Sequence, residues 1–477
     1  MPHVLTHVPV GQYNLPVPLL AILGASVVVV AASFVLIYLS APSRVSHDDG
    51  GGLRVPPPVT FLLTLLTLAY VGFVILVASF GRQAVLAVNP AAVLFWVWTI
   101  PLLPLAHCLV GGVYPVANPF AFIARHLAGG RHLPNADAIL RRLGYWPAVA
   151  LFFLLTCAES IGEIVQRPAV LGAAAILYLA LQVIMGILLG EEWYAGGEVF
   201  CAITTLASTL APCALRRDEA GTVRLVTGFD PARFLPRGRG REALVTLWLA
   251  GVLADGVRST PIWRVAILPH TEARFEALGT FAGIDVGSAL EITLEITLTW
   301  AAFGLFFWAF VALASLLAGN PNGGALERAR LARVAGIVSP SLIPIALAYL
   351  LAHNLTQLLV VGPLMVSAVH ANVGELSALT IANVRRISPE FVWWTQVIAI
   401  VLGHVVAVVM AHVRLTRELD PAEAGTVQGV AAPPPRRPTL AGRLATDTAF
   451  RADLGWLSAM LIYTASSLWI LAQPITA

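Results

Sequence analysis

The sequence predicts an all-α protein: a polytopic bundle of about ten transmembrane helices with both chain ends outside. Three observations predict it. Hydrophobic residues make up 58% of the 477 and charged residues only 12%, half the charged share of an ordinary soluble domain. Apolar runs long enough to cross a hydrocarbon layer of about 30 Å recur along the chain. And all 29 basic residues are arginines that sort by loop.

Ten runs have the required length or nearly so, at about 18–40, 58–80, 90–112, 146–162, 168–190, 243–258, 283–318, 336–362, 393–413 and 454–473. The fourth and sixth are short. The seventh is long enough to tilt or to project beyond the bilayer. The first is preceded by no basic segment of the kind that opens a signal peptide, so it is expected to be retained.

Alternating the loops between sides puts 22 of the 29 arginines on one face. Loops 41–57, 113–145, 191–242, 319–335 and 414–453 carry two, four, seven, three and six of them. Arginine-rich loops stay on the cytoplasmic side, which places both termini outside. The whole chain, 1–477, reads as one transmembrane domain. Within it, loop 191–242 contains an apolar stretch, Val199 to Leu215, suited to an interfacial or re-entrant helix, followed by a short hairpin near Arg224–Asp230. Loop 414–453 reads as a partly disordered linker around Pro433-Pro434-Pro435.

Composition also excludes functions. The basic residues are explained by topology and anionic headgroups, so no nucleic-acid partner is expected. Cys108, Cys157, Cys201 and Cys213 form no CxxC or finger spacing and read as small core residues. HExxH, GxGxxG, P-loop and GxSxG patterns are absent.

Chemistry has to come from ionisable groups inside the spans, each costing about 2.5–3.5 kcal/mol on insertion scales. They are His107, Glu159, Glu163, Asp255, Glu291, Glu295, His353, His404 and His412. Under the alternating topology, His107 and His412 sit near inner ends and the other seven share the outer half of the membrane. Glu291/Glu295 and Glu159/Glu163 are four-residue pairs, each on one helical face, suited to a hard cation, a shared proton or an acid/base couple. The plain alternative for Glu163 and Glu291 is an interfacial position facing water. For His353 and His404 it is an interhelical hydrogen bond, against a role as metal ligand, haem ligand or proton carrier. Gly403 beside His404 allows close helix approach or room for a cofactor.

Several stretches, in order, carry a resemblance. They are Leu15-Pro-Val-Pro18 with Ala-Ser-Phe-Val35, Ala117-Asn-Pro119, Gly144-Tyr-Trp-Pro147, Gly190-Glu-Glu-Trp193, and Asp255-Gly256 followed by Pro261-Ile-Trp263. The fullest are Pro344-Ile-Ala-Leu-Ala-Tyr-Leu-Leu-Ala-His353 and Gln396-Val-Ile-Ala-Ile-Val-Leu-Gly-His404, with Ala411-His412 beyond. Together the chain resembles the bacterial polytopic membrane proteins known as fenitrothion hydrolase. Asn354, Thr356 and the Val-Arg after His412 depart from that pattern. The resemblance implies hydrolysis of an apolar organophosphorus triester dissolved in the bilayer, with water activated by a base or by a metal.

On that reading a divalent metal ion is held by His353, His404 and Glu159, with Asp255 and Glu295 as catalytic acid or base. Haem b between His353 and His404 is the alternative cofactor. The alternative functions are proton- or ion-coupled transport, a membrane cytochrome-type redox subunit, and a scaffold for an exported or membrane partner subunit. The expected location is the plasma membrane.

Overall fold

Proline and short polar residues start most of the helices. In the computed structural model, which describes residues 18–39, 52–83, 89–129, 132–165, 167–218, 220–228, 238–275, 278–319, 328–363, 387–419 and 447–473, the principal helices are as follows. α1 is Leu19–Leu39, α2 Pro57–Phe80, α3 Pro90–His107, α4 Pro119–Ala128, α5 Ala136–Leu143, α6 Trp146–Ser160 and α7 Pro168–Leu189. They are followed by α8 Val199–Leu210, α9 Arg241–Arg258, α10 Leu268–Phe275, α11 Val286–Leu317, α12 Arg328–Val360, α13 Pro389–Leu419 and α14 Thr448–Leu471. Prolines in the first turn of α2, α3, α4, α6 and α7 supply a preset φ where no N–H is needed. Asn89, Asn118, Glu198, Asp285 and Asp447 cap α3, α4, α8, α11 and α14 by accepting backbone N–H bonds.

Among the described residues, eight helices are long and apolar enough to cross a membrane, or nine if the bent pair α5–α6, with its 52° angle, is one span. They account for eight of the ten runs read from the sequence. The two runs outside the eight are the short ones, and each has a physical reason. α6 has only 15 residues. α9 has 18, about 27 Å at 1.5 Å per residue, and carries Arg241, Glu242, Asp255 and Arg258. Leu244 to Ala250, Leu253 and Ala254 on α9 are buried, so protein rather than lipid surrounds it.

The loops fall into two groups that touch at opposite ends of the bundle. At one end β1 (Leu53–Arg54) pairs with β4 (Val223–Thr227), which pairs with β3 (Cys213–Arg217), which pairs with β2 (Val110–Gly111). There too the Tyr145 N–H donates to the Arg239 carbonyl at 2.7 Å, Arg241 to Gly336 at 2.9 Å, Arg333 to Glu418 at 2.6 Å and Arg451 to Ala318 at 3.2 Å. Every partner in this set lies in, or borders, one of the five arginine-rich loops. At the other end Arg167 donates to the Gly283 carbonyl at 2.8 Å and Trp98 to that of Gly362 at 3.1 Å. α9 runs between the ends: Gly240 abuts Trp146 at the first, and Gly256 abuts Ile470 at the second.

The hairpin predicted near Arg224 is present, but its first strand is Cys213–Arg217, so the apolar helix before it stops at Leu210. That helix is buried along most of its length, as covered backbone requires. All four cysteines are free thiols. The segment 421–440 with its prolines, the start of the chain to Val17, and Arg44, Arg131, Arg385 and Arg386 lie outside the described residues.

Candidate functional site

The site begins with a departure from regular helix. Within α3, Val93–Thr99 is π-helical, and Pro101 follows it, four residues after Val97. Proline removes a donor and pushes its ring at the carbonyl four residues back, so the ladder widens. Such π turns recur at functional sites. The bulge leaves a cavity among α3, α6, α8, α9 and α12, walled by Trp96, Phe152, Phe200 and Trp248 among others. Its space is about 80 Å³, room for several waters or a small group.

Three of the five sequence-predicted site residues line this one cavity: Glu159 from α6, Asp255 from α9 and His353 from α12. His353 Nε2 lies 3.7 Å from Asp255 Oδ2, and each side chain is about 30% exposed. Thr156, Ser160, Thr204, Asn354 and Gln357 add polar groups to the wall. Two buried polar atoms there meet no hydrogen-bond partner: the indole N–H of Trp96 and the amide oxygen of Asn354. Asn354 uses its amide nitrogen on the Leu350 carbonyl, at 3.0 Å. Both atoms are out of a water's reach, so each is an unpaired polar group inside the wall rather than one presented to the cavity.

Glu295 is placed elsewhere. It is 2% exposed on α11, with Oε2 3.5 Å from Arg258 Nε and with Asp255 and Glu291 within electrostatic range. It adjoins the cavity's acid without lining the cavity.

His404 is not brought to the site. It is fully buried, donates from Nδ1 to the Ile400 carbonyl at 2.8 Å, and its Nε2 meets no partner. A side chain added at Gly403 would come within 2.6 Å of Ala348 Cβ and 2.9 Å of the Pro344 carbonyl. α12 and α13 thus touch backbone to backbone at this level, and the glycine serves close approach rather than cofactor space. Because Gly403 meets Pro344–Ala348, His404 sits roughly 10 Å along α12 from His353, at 1.5 Å per residue. The two histidines do not face a common haem pocket.

Among the described residues no three His, Cys, Asp or Glu side chains come together in a way that would hold a metal ion. The predicted set of His353, His404 and Glu159 is split because His404 is on α13 at the level of Pro344–Ala348, away from the cavity that Glu159 and His353 line. The residues present do not fit the expected metal.

His107 is held by backbone: Nδ1 donates to the Leu103 carbonyl at 2.8 Å and Nε2 accepts from the Tyr114 N–H at 2.9 Å. His412 pairs with Asp453 at 2.8 Å, away from the cavity.

Residue type and depth gave no hint of Trp96 or Glu198. Glu198 is wholly buried; it accepts from the Tyr178 hydroxyl and from the Phe200 and Cys201 N–H groups, so it anchors the start of α8 beneath the cavity. Its place three residues before Cys201, opening an apolar run, was the available cap signal.

Comparison with protein-family models, with curated proteins and with solved structures gives no match to this chain.

Proposed function

We propose that this chain is a multi-pass membrane hydrolase acting by acid–base chemistry on a neutral, apolar ester, of the organophosphorus triester class. The observation that carries this is the shared cavity in which the Asp255–His353 pair and Glu159 meet among aromatic walls. An uncharged triester partitions into lipid, and a bundle cavity is a place where it meets water. In the proposed step His353, oriented by Asp255, takes a proton from a water whose oxygen attacks phosphorus. The bond to the leaving aryloxide breaks and Glu159 supplies its proton. The polar part of the wall, Thr156, Ser160, Thr204 and Gln357, receives the water and the phosphoryl oxygen. No metal takes part in this scheme.

The same reading has ten crossings, the eight apolar helices together with α6 and α9, with both termini outside and the plasma membrane as the location. The end-to-end run of α9 and the gathering of the arginine-rich loops at one end support it. The cavity residues then lie toward the outer leaflet, with the lipid bilayer as the medium from which substrate arrives.

A second reading, proton-coupled transport, draws on Glu295 and Glu291, which extend the line of carboxylates from Asp255 into α11. Purified protein in lipid nanodiscs, given a neutral aryl phosphotriester, separates the two. The hydrolase reading expects phenolate release that drops at least about 100-fold in His353→Ala and Asp255→Asn. No release by the wild type, together with proton-gradient-driven uptake in proteoliposomes, transfers the site to transport.

A further inference from the structure

The four-stranded sheet at the arginine-rich end has a feature that pairing alone disfavours. In its register Arg54 of β1 lies opposite Arg224 of β4, and Arg224 lies opposite Arg216 of β3. Directly paired residues point to the same face, so three arginines form one row across three strands. Strand spacing of about 4.8 Å puts the outer two Cα atoms about 10 Å apart. Like charges set directly opposite each other destabilise a sheet. Asp218 meets the middle one, Arg224 Nε to Oδ2 at 3.2 Å, with both side chains more than a third exposed. Arg54 is exposed and Arg216 half-buried.

The row has a defined depth. Arg54 stands three residues before Pro57, where α2 begins, so it lies within about 10 Å of the apolar layer. That is the level of lipid phosphates. Arginine meets a phosphate with two parallel N–H donors, which lysine does not match, and this chain has no lysine.

We infer that the Arg54–Arg224–Arg216 row is a binding site for the phosphate of an anionic phospholipid of the adjoining leaflet. Its ligand is a headgroup phosphodiester spanning neighbouring guanidinium groups. The site stands on the sheet register and on the position of α2, independently of any reaction at the cavity.

The test is the melting temperature of the detergent-purified full chain, read with added phosphatidylglycerol, phosphatidylcholine or inorganic phosphate. Phosphatidylglycerol is expected to raise Tm for the wild type, and the other two are not. The double variant Arg54→Gln/Arg224→Gln is expected to lose at least half of that shift. Arg54→Gln alone serves if the double variant does not fold. Arg141→Gln/Arg142→Gln removes the same charge from exposed positions on α5, at the same end but off the sheet, and is expected to keep the shift. Three results overturn the proposal: an unchanged shift in the sheet variants, an equal loss in the α5 variant, or an equal shift from inorganic phosphate.

Discussion

α2 and α9 both run the length of the bundle, yet they are solvated by different media. α2 has a mean hydropathy of 2.6 in its best window, of which 17% is buried. Phe61, Leu62 and Leu66 stand exposed on it. α9 is lined with buried leucines and Trp248, and carries four charged residues, two of them in its last turn. Lipid offers nothing to a charge or an open donor, so the face a helix turns to it must be apolar, and α11 keeps Glu291 and Glu295 on its buried side. A helix wrapped in protein, such as α9 with Asp255, is freed from that rule around most of its circumference. Between these two helices hydropathy follows contact with lipid; α12, with a mean hydropathy of 2.0 and 89% of its window buried, shows that an equally apolar helix also forms inside the bundle.

The comparison breaks most directly by exchanging the two environments. Leu66→Arg, near the centre of α2, is expected to cost about 2.5–3.5 kcal/mol of insertion, seen as a lower yield of membrane-integrated protein. Asp255→Leu in α9 is expected to leave integration unchanged while phosphotriester hydrolysis is lost. Integration failing in Asp255→Leu and not in Leu66→Arg would reverse the assignment of solvents.

Glycines sharpen it at smaller cost. A Cβ at Gly72 of α2 meets nothing within 4 Å, whereas one at Gly403 of α13 meets Ala348 Cβ at 2.6 Å. Gly403→Ala is expected to destabilise by about 1–3 kcal/mol through overpacking. Gly72→Ala is expected to be neutral or stabilising by up to about 1 kcal/mol through helix propensity. Thermal unfolding in one detergent compares the pair.

The smallest effect belongs to the exposed hairpin. The Thr222 N–H, with help from Arg224, holds the Asp218 carboxyl below its ordinary value. A depressed carboxylate contributes order that is present above the unfolded value and lost as pH falls through the folded one. Protection of the amides of 213–217 and 223–227, with exchange corrected for the intrinsic rate at each pH, is expected to be high at neutral pH and to fall in acid below the usual carboxylate range. Asp218→Asn is expected to show the faster exchange already at pH 7. An acid-insensitive hairpin would remove this contribution.

How much of this was legible depended on what each residue answers to. Hydropathy found the eight apolar helices, α12 among them although it is buried in protein. α6 and α9 are shorter and were marked only by arginine alternation and by length. Glu159, Asp255 and His353 were grouped by depth alone, and depth was enough because their helices turn them toward one cavity. Depth failed for His404, since it fixes a level along the bundle and says nothing of which way a side chain points around its helix. The π turn at Val93–Thr99, and with it Trp96, stayed hidden because an apolar run with prolines reads as an ordinary span.

The sheet at the arginine-rich end also sets an order of events during biosynthesis. β1 at Leu53–Arg54 waits for β4, whose Arg224 is made about 170 residues later. At 5–20 residues per second that interval is roughly 9–34 s, and α2 through α7 are translated within it. The earliest helices therefore form with that strand still unpaired. Nascent chains stalled before residue 223 are expected to expose that strand to quality-control proteases that the finished molecule resists.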